Sequence, residues 1–163
     1  MKNQFLARPF LIAWSLILSV AGILPNLANA DTPEEISVVF CNDCVPFEFT
    51  NKAGKADGPV IDYWKIWSKK TGVKINFVAA PWNQTLESIR DGKVDAHAGL
   101  YFSEERNTYL DYGAAILGAD THVFFHEDIS FPKALSELKA YKIAVLKGDY
   151  VESWLKERLG ETS

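Results

Sequence analysis

The sequence is poor in the residues that redox, metal and nucleic-acid chemistry draw on. It has two cysteines, three histidines and a single methionine in 163 residues. Zinc asks for four ligands at characteristic spacings, and His97, His122 and His126 do not stand at such spacing from Cys41 and Cys44, so no metal is expected. Lys and Arg number 17 against 21 Asp and Glu, a formal charge of −4. That balance argues against a nucleic-acid partner, whose phosphates require clustered cations. G-x-S-x-G, H-E-x-x-H and phosphate-loop patterns are all missing, and no carboxylate spacing singles out an acid/base pair, so neither catalysis nor a cofactor is expected. Internal repeats and low-complexity stretches are missing too.

Long apolar runs are likewise scarce. The one example lies at the start, in residues 10–24, behind Lys2 and Arg8 and ahead of Pro25 and "ANA" at 28–30. It is shorter than the roughly 18–20 apolar residues of a spanning helix. Together with the small-x-small tripeptide it reads as a cleaved secretory signal over residues 1–30. The expected destination is the periplasm, with no membrane anchor in the mature chain. Cys41 and Cys44, in "FCNDCVPF", then sit in an oxidising compartment, where a disulfide is the default. The rival is a redox C-x-x-C. It would gain reactivity from a helix N-terminus, but Pro46 follows closely and Phe47-Glu48-Phe49 alternates like a strand, which favours a small structural bridge.

What is present alternates between strand and helix. "ISVVF" (36–40) is a buried strand, and Asn51, Gly54 and Gly58 punctuate the loop after it. "GPVIDYWKIWSKKTG" (58–72) is a helix. Pro59 stands in its first turn; Val60, Trp64 and Trp67 share a face flanked by Ile61 and Ile66, and Gly72 is its stop. "VKINFVA" (73–79) alternates as a strand with Val73, Ile75 and Phe77 inward. "NQTLESIRDG" (83–92) is a second helix with Asn83 as N-cap, and "KVDAHA" (93–98) a third strand. Ser103 caps a short helical turn that begins Glu104-Glu105 and delivers Arg106. The order β-α-β-α-β predicts an α/β fold, a parallel sheet covered by helices, and ligands of such sheets bind beyond the carboxyl ends of the strands. Arg106 arrives at that edge.

Further on, "ADTHVFFHEDISF" (119–131) predicts an alternating strand and Pro132 opens a short helix. Ile143, Val145 and Leu146 read as a strand that turns at Gly148 into a helix faced by Val151, Trp154, Leu155 and Leu159. A new β-α unit after an extended connection predicts a second lobe, of which one strand and one helix are an incomplete part. The expected division is residues 31–117 for lobe one and 118–163 for a crossing strand and the start of lobe two.

"VVFCNDCVPFEFTNKAGKADGPVIDYWKIWSKKTG", "GKVDAHAGLYFSEER" and "LDYG" together resemble periplasmic solute-binding proteins of the polar-amino-acid type, family 3. The likeness covers almost all of the chain after residue 35. It implies a periplasmic binding protein-like fold of type II, with two α/β lobes closing over a small polar solute, the second of them incomplete here. By that resemblance Arg106 grips a ligand carboxylate through its planar fork. Ser103 and the Gly99 backbone support it, and Phe47, Tyr101 and Trp82 wall the solute. Gly148 offers free N–H groups at a helix start in lobe two. Departures stand at Cys44 and Val45, where the family often has Tyr and Pro, and at Gly99 and Tyr101, where it often has Ser. "AHAGLYFSEER" is closer to sensor versions.

Each of these residues has a plainer reading. Arg106 has Glu104, Glu105 and Asp111 to pair with on the surface, at about 0–1 kcal/mol. Trp82 and Phe47 suit core or hinge packing. His97 is most simply a strand residue, and Asp62 and Asp95 are local loop-fixing groups. The expected function is therefore binding of a small polar or carboxylate-bearing solute for ABC-type uptake or sensing, with a transporter permease or a sensor output domain as partner. The alternatives are a truncated input module of a diguanylate cyclase or histidine kinase and, lowest, an enzyme on the same fold.

Overall fold

The computed structural model describes residues 32–160. The expected secretory signal lies outside the described residues, and everything below concerns the unit that begins at Pro33. Strand β1 (Glu35–Cys41) is its axis. It pairs in parallel with β5 (Lys74–Ala80) along its whole length and with β6 (Ala96–His97) at Val38 and Val39, giving the order β5-β1-β6. A central parallel strand is covered on both faces and so is apolar without interruption. Val38, Val39 and Cys41 are fully buried and Phe40 nearly so.

Helix α1 (Pro59–Thr71) covers one face. Val38, Phe40, Val60, Ile61 and Ala98 form the core there, flanked by Trp64, Ile75, Phe77 and Ala96. Each fully buried side chain of this size contributes about 1.5–3 kcal/mol. The Trp64 indole donates to the Ala98 carbonyl at 2.8 Å and ties α1 to the end of β6. Gly72 ends the helix in the left-handed conformation. Ile66, expected to flank the packed face, is exposed.

Helix α2 (Trp82–Arg90) lies on the opposite face. Parallel register places His97 beside Val39, and the His97 ring meets Thr85 of α2. The three layers of lobe one are thus α1, the sheet and α2. The helix begins two residues earlier than an Asn83 cap implies. Pro81 precedes it without a side-chain cap and Asn83 lies in its first turn, because a proline's fixed φ already suits a helix start. The third strand is also shorter than "KVDAHA" suggested. The Asp95 carboxylate takes the Ser37 N–H and hydroxyl, which holds that segment by side chain in place of a longer ladder.

A small antiparallel sheet of β2 (Asp43–Cys44), β3 (Glu48–Thr50) and β4 (Ala56–Asp57) sits at the carboxyl end of β1. The bridge between Cys41 and Cys44 is formed there, in a turn between strands and not at a helix start. Asn51 organises the loop as expected: its Oδ1 accepts from Ala53 and Lys55 and its Nδ2 donates to Asp57. Gly58 is required where it stands, with φ of 110° and space for a Cβ only 2.4 Å from the Phe47 carbonyl oxygen.

Past residue 113 the expected strands are not formed. Residues 119–131 and 142–146 carry no ladder among the described residues, since a strand exists only with a partner to bond. The short helix after Pro132 is a 3₁₀ segment, Leu135–Ala140. Helix α4 (Tyr150–Leu159) is present on the expected face, and Leu159 is its buried residue.

Candidate functional site

Sequence and cap chemistry explain how Arg106 is held. Helix α3 (Glu104–Asn107) is a single turn. Its N-cap Ser103 accepts the Arg106 N–H on its hydroxyl at 3.2 Å. The guanidinium is then turned inward, leaving Arg106 only 5% exposed. Its Nη1 donates to the Tyr101 carbonyl and its Nη2 to the Gly148 carbonyl, each at 2.8 Å. Its Cζ lies 5.7 Å from the centroid of the Trp82 ring. Among the described residues no carboxylate stands within ion-pairing distance of it, and Glu104, Glu105 and Asp111 leave it unpaired. A buried cation resting on carbonyl dipoles and an aromatic face is short of one charge.

The neighbours are fixed by a chain of hydrogen bonds. The Gly99 N–H donates to His97 Nδ1 at 3.2 Å, so the proton of the neutral ring sits on Nε2, which donates to the Thr85 hydroxyl at 2.9 Å. That hydroxyl donates in turn to the Trp82 carbonyl at 2.7 Å. The rings of Trp82 and His97 meet edge to face at 6.0 Å. Burial, with the Arg106 charge beside it, pushes the His97 imidazole down to about 3. It is therefore a neutral strut at physiological pH. Burial also raises the Tyr112 phenol, and the Arg106 charge acts in the opposite sense. The Tyr112 hydroxyl donates to the Tyr101 carbonyl at 3.2 Å.

The structure thus gathers Arg106, Ser103, Tyr101, Trp82, Gly99 and Gly148, though not always by the expected atoms. The Gly99 N–H is engaged by His97 and the Ser103 hydroxyl by the α3 cap. Free N–H groups were expected at Gly148. Its N–H donates to Glu152 Oε2 at 2.7 Å, and Asp149 caps the Val151 N–H, so the turn meets Arg106 with its carbonyl instead. Phe47 stands apart, 39% exposed at the turn before β3 and without a ring contact to the cluster. Asp95 ties the loop before β6 to Ser37 of β1, the loop-fixing role expected, whereas Asp62 pairs with Lys65 on the surface.

Thr85 and Tyr150 were not foreseen. Tyr150 stacks on Tyr101 at 5.7 Å and 27°. A polar residue on the inner face of an otherwise amphipathic helix was the available signal for Thr85; nothing local marked Tyr150. A separate groove of ≈ 400 Å³ is lined by Phe125, Phe131, Leu135 and Leu138 among others and includes none of the residues around Arg106. Its remaining lining includes Thr121, His122 and Lys133.

Residues 36–155 match the bacterial extracellular solute-binding proteins, family 3. The chain belongs to that family. This family 3 chain is 26% identical over 147 residues to the histidine-binding periplasmic protein of Salmonella typhimurium, covering 90% of this chain and 56% of the relative. It is 24% identical over 160 residues to the lysine/arginine/ornithine-binding periplasmic protein of Escherichia coli, covering 96% and 58%. The chain spans a little over half the length of these curated relatives. Among solved structures, an ancestral amino-acid-binding protein described as a precursor of cyclohexadienyl dehydratase superposes with a TM-score of 0.66 at 28% identity, covering 77% of this chain and 57% of that one. An ancestral arginine-binding protein bound to glutamine gives 0.62 at 25%, covering 80% and 59%. A histidine kinase sensor domain, at 23% identity and a TM-score of 0.66 over 77% of this chain and 55% of its own, shares the fold. The chain covers a little over half of each of these three structures.

Proposed function

We propose that this family 3 chain binds the carboxylate of a small, amino-acid-like solute in the periplasm, with Arg106 as the anchor, and serves uptake through a transporter permease. The observation that carries the reading is the guanidinium itself: buried, rigidly oriented, and without an acid partner among the described residues. A protein does not hold a buried, uncompensated cation cheaply, and an incoming carboxylate supplies the missing charge with two parallel bonds. The relatives named for histidine and for lysine, arginine and ornithine support this solute class. Binding is favoured over catalysis because both nitrogens of His97 are already committed to hydrogen bonds. Glu48, the buried acid, is held by the Cys41 N–H.

The test is calorimetry of the chain with L-histidine and L-arginine against their methyl esters. The free carboxylates are expected to bind and the esters to bind at least tenfold more weakly. Arg106→Gln is expected to cost about 10- to 100-fold, the range of a charged hydrogen bond. Arg106→Lys keeps the charge and falls between. Equal affinity for acid and ester overturns the reading.

A further inference from the structure

The turn at residues 147–150 lies over the very group that the proposed ligand needs. We propose that the Gly148 carbonyl is an internal stand-in for a ligand oxygen, and that Tyr150 sets how readily a carboxylate displaces it. This rests on the carboxylate reading above and adds a specificity-determining residue to it.

Three observations converge. First, Arg106 Nη2 is engaged by the Gly148 carbonyl at 2.8 Å, a neutral acceptor where a charged one would bind more strongly. Second, the turn is seated closely. Gly148 has φ of +77°, and a Cβ there would lie 3.2 Å from Leu86 Cδ1 and 3.9 Å from Trp82 Nε1. A side chain at 148 would be strained and would press on Leu86, with the indole N–H at van der Waals distance. Third, that indole N–H is buried and has no hydrogen-bond partner. A carbonyl presents one oxygen and leaves this donor orphaned. A carboxylate presents two, and can satisfy Arg106 and Trp82 together, which favours an oxyanion over a neutral amide or ester.

The latch is aromatic. Tyr101 is immobilised by three hydrogen bonds: its hydroxyl donates to the Ala119 carbonyl at 2.8 Å, and its own carbonyl accepts from Arg106 and from Tyr112. Tyr150, the first residue of α4, stacks on it and so pins the turn. A ligand must release that turn, which couples occupancy of the site to movement at the start of α4. Apparent affinity is then the intrinsic affinity reduced by the fraction of molecules with the turn released.

Acetate, the smallest two-oxygen carboxylate, is the probe, with acetamide as its neutral counterpart and chloride matching ionic strength. The signal is the Trp82 indole N–H resonance, assigned with Trp82→Phe. Acetate is expected to shift it and acetamide to leave it in place. Tyr150→Ala is expected to bind acetate about two- to tenfold more tightly than the parent, the worth of one aromatic stack. Tyr150→Leu, which keeps apolar bulk without the stacked ring, gives the same sign if the alanine variant does not fold. Tyr150→Phe keeps the stack and tracks the parent. Unchanged or weaker acetate binding in the Ala or Leu variant overturns the stand-in, as does the absence of any acetate shift. An acetate shift that survives in Arg106→Gln overturns the underlying site reading instead.

Discussion

Glu48 offers the sharpest energetic test. It is 4% exposed, its Oε1 accepts the Cys41 N–H at 2.9 Å, and its Oε2 is buried without a partner. Burial outweighs that one hydrogen bond and pushes the carboxyl from 4.5 up to about 7. The sign follows from linkage: the folded protein holds this proton more tightly than the unfolded chain. The stabilisation is complete below about pH 4.5 and is lost as pH rises to about 7. Such a displacement corresponds to about 3 kcal/mol, near 1.4 kcal/mol per pH unit. His97 works in the opposite direction. Its folded value of about 3, against 6.5, removes stability as pH falls below 6.5. The two slopes oppose each other between pH 4.5 and 6.5, so the parent's profile alone is ambiguous and the difference from Glu48→Gln isolates the acid. Urea unfolding followed by circular dichroism from pH 4.5 to 8 is the assay. The parent is expected to lose about 3 kcal/mol relative to the glutamine variant across that range. Parallel profiles for the two proteins would refute the reasoning.

Three further outcomes are expected. Gly58→Ala meets the Phe47 carbonyl at 2.4 Å and forces a left-handed φ on alanine, so thermal unfolding should reveal a loss of about 2 kcal/mol or more. The double variant Cys41→Ser, Cys44→Ser opens a very short loop and should lose about 2 kcal/mol in denaturant titrations, with reduction of the parent giving a similar loss. Trp64→Phe orphans the Ala98 carbonyl beneath the Gly99 loop and should cost about 1–3 kcal/mol, with faster amide exchange at residues 98–100 as its local signature.

Much of lobe one was legible because its signals are local and redundant. The Pro59 start, the Gly72 stop, the apolar run of β1 and the Ser103 cap each rest on chemistry within a few residues. The parallel pairing of the sheet followed from alternation of strand and helix, whereas its order, with β1 between β5 and β6, was not read from the sequence. What failed depended on distant partners. Residues 119–131 have strand-like alternation but no ladder to join, and β6 is curtailed because the Asp95 side chain takes the Ser37 backbone N–H. At the site, residue identity was readable and atom usage was not. Gly99 and Gly148 reached the cluster, yet their N–H groups went to His97 and Glu152, choices made by side chains 2 and 4 residues away. Tyr150 escaped notice because its stacking partner lies 49 positions earlier, with nothing local to announce it.

The most direct test of the central claim is a crystal structure of this chain grown with L-arginine. The account predicts the ligand carboxylate on the Arg106 guanidinium, the Gly148 carbonyl displaced from Nη2 and the turn at 147–150 moved away. Ligand density seated elsewhere, such as the groove beside Phe125 and Leu138, with Arg106 still bonded to Gly148, would contradict it.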